Sequence, residues 1–335
     1  MQYSLTLRLA VFFFVASLFV IYSGFTFPST EIYMYRTLLS GKLFFMYSDV
    51  TWDFYDPIVN EGRLQLLIGM PQNLALLFTQ TPSVFSVYLI QALLVFIVCL
   101  IMTFIFKEVG FDNKYAFYSI LILVFSKAFV FSFYHPVLAE TLLIVFLGAA
   151  ILFYLRYTAR PTPINLLWLV LFTMLACVTK VSAAFMLCVF AMSMVFSDVV
   201  AAQRIRHRFI AHATLIGISM MWYVFSGWFA GGPNDPLVWD IRYLQLTWAT
   251  DAVVFMFVVP AGIVLPAIGL WKKRGYRFGE QVCAGLCLTA AVYAVLLVLF
   301  GKHSDYHLAP TYFLAAFAGP MVVHFLLRTR GALAS

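Results

Sequence analysis

The chain has 335 residues, 64% of them hydrophobic and only 10% charged, and its mean hydropathy is +0.96. A soluble domain carries about 25% charged residues, so a water-exposed surface cannot be built from this composition and the solvent is lipid. The formal net charge of +7 would fit nucleic acid in a soluble protein, but here the cations sort by loop, which excludes that partner and points to the membrane.

Apolar run lengths predict ten spans, at about 7–27, 84–106, 115–134, 137–155, 164–180, 182–197, 209–229, 250–271, 281–300 and 307–327. The first run is too long for a signal-peptide core and lacks a small-x-small cleavage site, so it reads as a retained span. Between spans one and two lies a long segment, 28–83, in a protein whose other loops are short. Tyr33 to Phe45 and Arg63 to Phe78 read as juxtamembrane amphipathic helices flanking an acidic, aromatic stretch, Asp49–Asp56. Tyr134-His135-Pro136 separates spans three and four, and Lys180-Val181-Ser182 separates five and six. The expected fold is an all-α integral membrane protein, one transmembrane domain over 1–335, with no internal repeat and no soluble domain.

Charge tests this topology. With the N-terminus in the cytoplasm, the inner side receives Arg8, Lys107, Lys114, Arg156, Arg160, Arg204, Arg206, Arg208, Lys272, Lys273, Arg274, Arg277, Arg328 and Arg330. The acids go the other way, with only Glu108, Asp112, Asp198 and Glu280 inside. Both ends are therefore expected in the cytoplasm. The five cysteines, Cys99, Cys177, Cys188, Cys283 and Cys287, all lie in apolar runs, which reads as core packing rather than a disulfide framework.

Chemistry-bearing residues gather on the predicted outer face. Glu31 follows the first span closely. Asp49, Asp53 and Asp56 sit among Trp52, Phe54 and Tyr55; Glu140 opens span four; Lys302, His303, Asp305, Tyr306 and His307 stand at the mouth of the last span. Carboxylates bind sugar hydroxyls, aromatic rings cover sugar faces, and a suitable acid deprotonates an attacking hydroxyl. Cations stabilise charge developing on a phosphate leaving group. Together they fit sugar chemistry linked to a lipid phosphate. Each group also has a plainer reading. Loop acids are commonly just solvated, Lys127 can snorkel to headgroups, and Glu140 can cap a helix N-terminus. His303 and His307 have the spacing of a metal pair but lack a further ligand, so no metal or other cofactor is predicted. His135, His207, His212 and His324 read as structural or interfacial.

Four segments carry a family resemblance. These are PSTEIYMYRTLLSGKLF, HPVLAETLLIVFLGAAILFYLRY, LACVTKVSAAFM and GKHSDYHLAPTYFLAAFAG. In that order they resemble the acid-tyrosine-SG stretch, the acid-led span, the leucine-x-lysine turn and the late basic-tyrosine-x-x-proline segment of the GT-C superfamily of polytopic glycosyltransferases. The nearest branch is that of the aminoarabinose transferases and protein O-mannosyltransferases. The family often has two adjacent acids where this chain has Thr30-Glu31, and many members carry a C-terminal soluble domain with no counterpart here.

The resemblance implies a GT-C-like bundle and inverting transfer of a sugar from a polyprenyl-phosphate donor to a hydroxyl of a lipid, glycan or protein acceptor. It implies Glu31 as the catalytic base, with Asp53 second. Lys180, Lys302 and Arg63 are the expected donor-phosphate contacts. Asp49, Asp56, Glu140, His303 and Tyr306 are the expected substrate contacts. Absence of an Asn-x-Ser/Thr sequon leans towards a bacterial inner membrane, with the site facing the periplasm. A transporter or flippase of lipid-linked or small polar substrates is the alternative, and it would show repeated halves and broken helices.

Overall fold

The computed structural model describes residues 7–11, 13–14, 84–134, 140–200, 206–229, 252, 254–271, 277–299 and 305–319. Among these residues the structure is helical throughout, with no strand. In chain order the elements are α1 Val84–Glu108, α2 Asn113–Val124, α3 Lys127–Tyr134, α4 Glu140–Ala159, α5 Pro163–Thr179, α6 Val181–Val200 and α7 Arg206–Phe229. A π-helical turn, Val254–Val258, then leads into α8, Val259–Trp271; α9 is Phe278–Leu299, and a 3-10 turn, Asp305–Leu308, leads into α10, Ala309–Ala315.

Among the described residues five stretches are long and apolar enough to cross a membrane: Leu89–Glu108, Glu140–Ala159, Val181–Val200, His207–Ser226 and Phe278–Leu299. The expected single span at 115–134 is instead two helices bent by 70°. Its break is local. Phe125 closes α2, and the Ser126 hydroxyl donates to the Leu123 carbonyl at 2.7 Å while accepting from the Phe129 amide at 3.4 Å. A side chain that bonds backbone groups on both sides of a break ends one helix and starts the next. α5 and α8 are apolar but shorter. The spans expected at 7–27 and 307–327 lie partly, and the loop 28–83 wholly, outside the described residues.

Local signals set the ends. α1 stops at Gly110, whose φ of 82° suits glycine. There the Phe111 amide donates to the Phe106 carbonyl and the Gly110 amide to the Lys107 carbonyl, and the Phe106 and Phe111 rings close the motif at 6.4 Å. α5 starts on the Thr162 hydroxyl, which accepts from the Asn165 amide at 3.3 Å, with Pro163 first in the helix. At the start of α9, the Glu280 carboxylate accepts from the Arg277 amide at 2.8 Å.

α4 is the centre of the bundle, buried along almost its whole length. Small residues let its neighbours approach. A Cβ on Gly148 would lie 2.9 Å from both Ile101 of α1 and Phe313 of α10. α8 and α9 meet in the same way, since a Cβ on Gly262 would lie 2.4 Å from Ala291 and 2.5 Å from the Cys287 carbonyl oxygen. Close backbone approach at small residues is how helices associate where lipid removes the hydrophobic drive. All five cysteines are free thiols; four are buried and Cys188 is half-buried.

Contacts sort the described residues to two ends. Glu108 of α1 pairs with Arg156 of α4 at 3.4 Å. Gly279 of α9 packs on the Val109 backbone, and Arg208 of α7 lies 4.3 Å over the Phe278 ring. The opposite end holds Glu140, Lys180 and His307. These are the two groups into which the sequence sorted its charges.

Candidate functional site

Glu140 opens α4 and is 1% exposed. A carboxylate there faces the positive end of the helix. Its Oε1 accepts from Lys180 Nζ and lies 3.4 Å from His307 Nδ1. Three separate elements therefore converge on one carboxylate oxygen: the first turn of α4, the junction of α5 and α6, and the 3-10 turn before α10.

The junction explains how a lysine is held so deep. Lys180 alone separates α5 from α6, with extended backbone at φ −157° and ψ 131°, and its amide donates to the Ala176 carbonyl at 3.2 Å. Val181 and Ser182, expected in the connection, belong to the first turn of α6. A chain reversal with one residue keeps its side chain close to both helices, and Lys180 is buried. A buried ammonium needs a compensating charge, and Glu140 supplies it. His307 is held from the other side, where α3 packs on the 3-10 turn.

Of the residues predicted for the site, the structure brings together Lys180 and Glu140, and adds His307. Glu140, expected to contact substrate, has its Oε1 engaged by Lys180 and His307. Tyr306 sits in the 3-10 turn beside His307. Glu31, Asp49, Asp53, Asp56, Arg63, Lys302 and His303 lie outside the described residues. Connectivity still relates them to the cluster. α1 ends at Glu108 and so begins, at Val84, on the Glu140 end, where segment 28–83 enters it. Residues 300–304 link α9 to the 3-10 turn that carries His307.

A second buried polar cluster occupies the other end, and the sequence reading did not find it. Asp198, in the last turn of α6, accepts from Arg208 Nη1 at 2.9 Å through Oδ1 and lies 3.1 Å from His212 Nε2 through Oδ2. The other His212 ring nitrogen, Nδ1, is 3.3 Å from the Tyr154 hydroxyl of α4. One carboxylate thus links α4, α6 and α7, and the guanidinium stacks on Phe278 to add α9. Such stacking over a ring face is favourable. Arg208 and His212 are four apart, on one helix face, just after a helix whose last turn carries Asp198. That spacing was the available signal. Placing Asp198 on the inner side, just past the span 182–197, and reading His212 as structural or interfacial separated the two.

Among the described residues no group of three or more His, Cys, Asp or Glu side chains is placed to hold a metal ion. Comparison with protein-family models, with curated proteins and with solved structures finds no match for this chain.

Proposed function

We propose that the protein is a membrane glycosyltransferase of GT-C-like type. It moves a sugar from a polyprenyl-phosphate donor to a hydroxyl of a lipid, glycan or protein acceptor at the outer face of the membrane. The observation that carries the reading is the buried Lys180–Glu140–His307 cluster, on the bundle end where the acid-rich segment 28–83 enters α1. A buried lysine at this end of the bundle is a cation that a lipid phosphate entering there would meet. Glu140 and His307 act on Lys180, one holding its charge and the other closing the far side of the carboxylate.

In this reading a carboxylate of segment 28–83, Glu31 first and Asp53 second, takes the proton of the acceptor hydroxyl. The acceptor oxygen bonds to the anomeric carbon as its bond to the phosphate oxygen breaks, with inversion. Polyprenyl phosphate leaves with the electron pair, its charge met by Lys180, Lys302 and Arg63. Phosphate needs no strong general acid as it leaves.

Three features favour a second reading. The 70° break between α2 and α3, the π-helical turn before α8 and Pro266 inside α8 are interrupted helices of the kind transporters use. Mass spectrometry of cell-envelope lipids and glycans decides between them. Deleting the gene, or Lys180→Ala, should remove a sugar from a polymer or lipid and leave its polyprenyl-phosphate precursor in excess. An unchanged glycan profile with altered uptake or sidedness of a substrate would replace the enzyme with the transporter.

A further inference from the structure

Buried polar atoms in a membrane bundle find partners, because lipid offers none. Among the described residues several neutral side chains near the Glu140 end break this rule, among them Trp222 Nε1 and Ser219 Oγ of α7 and the three that follow. Gln91 of α1 is 3% exposed, and neither its Oε1 nor its Nε2 has a hydrogen-bond partner. Thr311 of α10 is fully buried, and its Oγ1 has none. Ser182 Oγ in the first turn of α6 is buried in the same condition.

Gln91, Thr311 and Ser182 share a depth in the bundle, while Gln281 Oε1 is unpartnered at the opposite end. α1 and α4 run parallel, as the Glu108–Arg156 pair and the Ile101–Gly148 contact show. Carrying that register back along both helices puts Gln91 at the depth of Glu140. Thr311 is four residues after His307, and Ser182 is two after Lys180. Each of these three groups therefore sits level with, or within one helical turn of, a member of the ionic cluster.

Five other serine and threonine hydroxyls of the bundle behave differently, although Ser219 Oγ does not. Thr103, Ser132, Thr173, Thr179 and Thr289 each donate to a carbonyl of their own helix. Thr311 and Ser182 do not. A primary amide with both ends open offers a donor and an acceptor at once, the complement of a hydroxyl group, and two further hydroxyls offer the same pair.

We infer that Gln91, Ser182 and Thr311 form a neutral subsite that hydrogen-bonds the hydroxyl groups of a sugar whose phosphate is met by Lys180. The inference rests on the proposed function and deepens it, because it assigns the sugar, rather than the phosphate, to these residues. An unmet buried polar group destabilises the empty protein, and a ligand hydroxyl that pairs with it removes that cost.

The test uses the full chain in detergent and reads thermal midpoints. The probes are bare polyprenyl phosphate and polyprenyl phosphate carrying glucose, mannose or an aminopentose. Without probe, Gln91→Leu and Thr311→Val should melt at or above the wild type. With probe, the wild type should shift upward with the bare lipid, and further with at least one sugar-bearing lipid. Both variants should keep the first shift and lose the increment. An increment that survives in both variants overturns the subsite and leaves the glycosyltransferase reading standing. So does a drop of more than about 3 °C in both empty variants, since it makes the groups structural. No wild-type shift with any of the four lipids overturns the donor reading itself, and the subsite with it.

Discussion

Replacing Lys180 and Glu140 separately and together measures what the buried pair contributes. Lys180 is 9% and Glu140 1% exposed at the side chain, so neither charge can be rescued by water. Removing one partner of a buried pair costs roughly 3–5 kcal/mol, whereas replacing both by apolar residues of similar volume is close to neutral. The geometry ranks the two single variants. Lys180→Met leaves Glu140 with His307 at 3.4 Å, so its cost falls at about the lower end, ~3 kcal/mol. Glu140→Leu takes the carboxylate from both Lys180 and His307, and its cost falls at the upper end, ~5 kcal/mol. The double variant should be no less stable than either single one. The assay is reversible unfolding of the detergent-solubilised protein, followed by tryptophan fluorescence, with the three variants read as a double-mutant cycle. Single costs that add to the double within about 0.5 kcal/mol would refute the pairing, because additivity is the mark of residues that do not touch. A folded double variant that also fails to bind polyprenyl phosphate would separate the role of Lys180 in function from its role in stability.

Four other outcomes follow from the same structure and its sequence. Glu31→Gln should lower sugar transfer by about 10²–10⁴-fold with donor binding nearly intact, and Asp53→Asn should do so if that residue is the base; near-normal transfer by the double variant removes the base from this segment. Asp198→Ala withdraws the carboxylate shared by Arg208 and His212 and should cost roughly 3–5 kcal/mol of stability, against about 0.5–1.5 kcal/mol for Tyr154→Phe; equal small losses would argue against a connected cluster. Gly279→Ala brings a Cβ to 2.0 Å from the Val109 carbonyl oxygen, a backbone atom, and should lose about 1–3 kcal/mol, while Gly217→Ala, with nothing within 4 Å, should gain up to about 1 kcal/mol; thermal melts compare them directly. A cysteine placed at Ser48 should be labelled by a membrane-impermeant reagent from outside intact cells, and labelling only from the cytoplasm would reverse the topology.

The sequence by itself determined the class of solvent and the grouping of charges. Composition points to lipid as the solvent, since 10% charged residues cannot make an aqueous surface. Run lengths placed α1, α4, α6, α7 and α9 to within a few residues, because a span is a length constraint written directly in the chain. The same arithmetic put Glu108 with Arg156 and Lys180 with Glu140 on opposite ends, and the contacts agree.

Only the tertiary structure decided which of those charges meet. Glu140, Lys180 and His307 are far apart in the chain, and nothing local states that the first turn of α4 faces the α5–α6 reversal. The Asp198–His212–Tyr154 line escaped for the same reason, since Tyr154 reaches it from another helix. The bend at Ser126 was hidden because a broken span and a straight one have the same apolar length. Gln91, Ser182 and Thr311 mark the limit most plainly. As letters they are ordinary polar residues in apolar runs, and what distinguishes them is the absence of a hydrogen-bond partner, which is a property of packing alone.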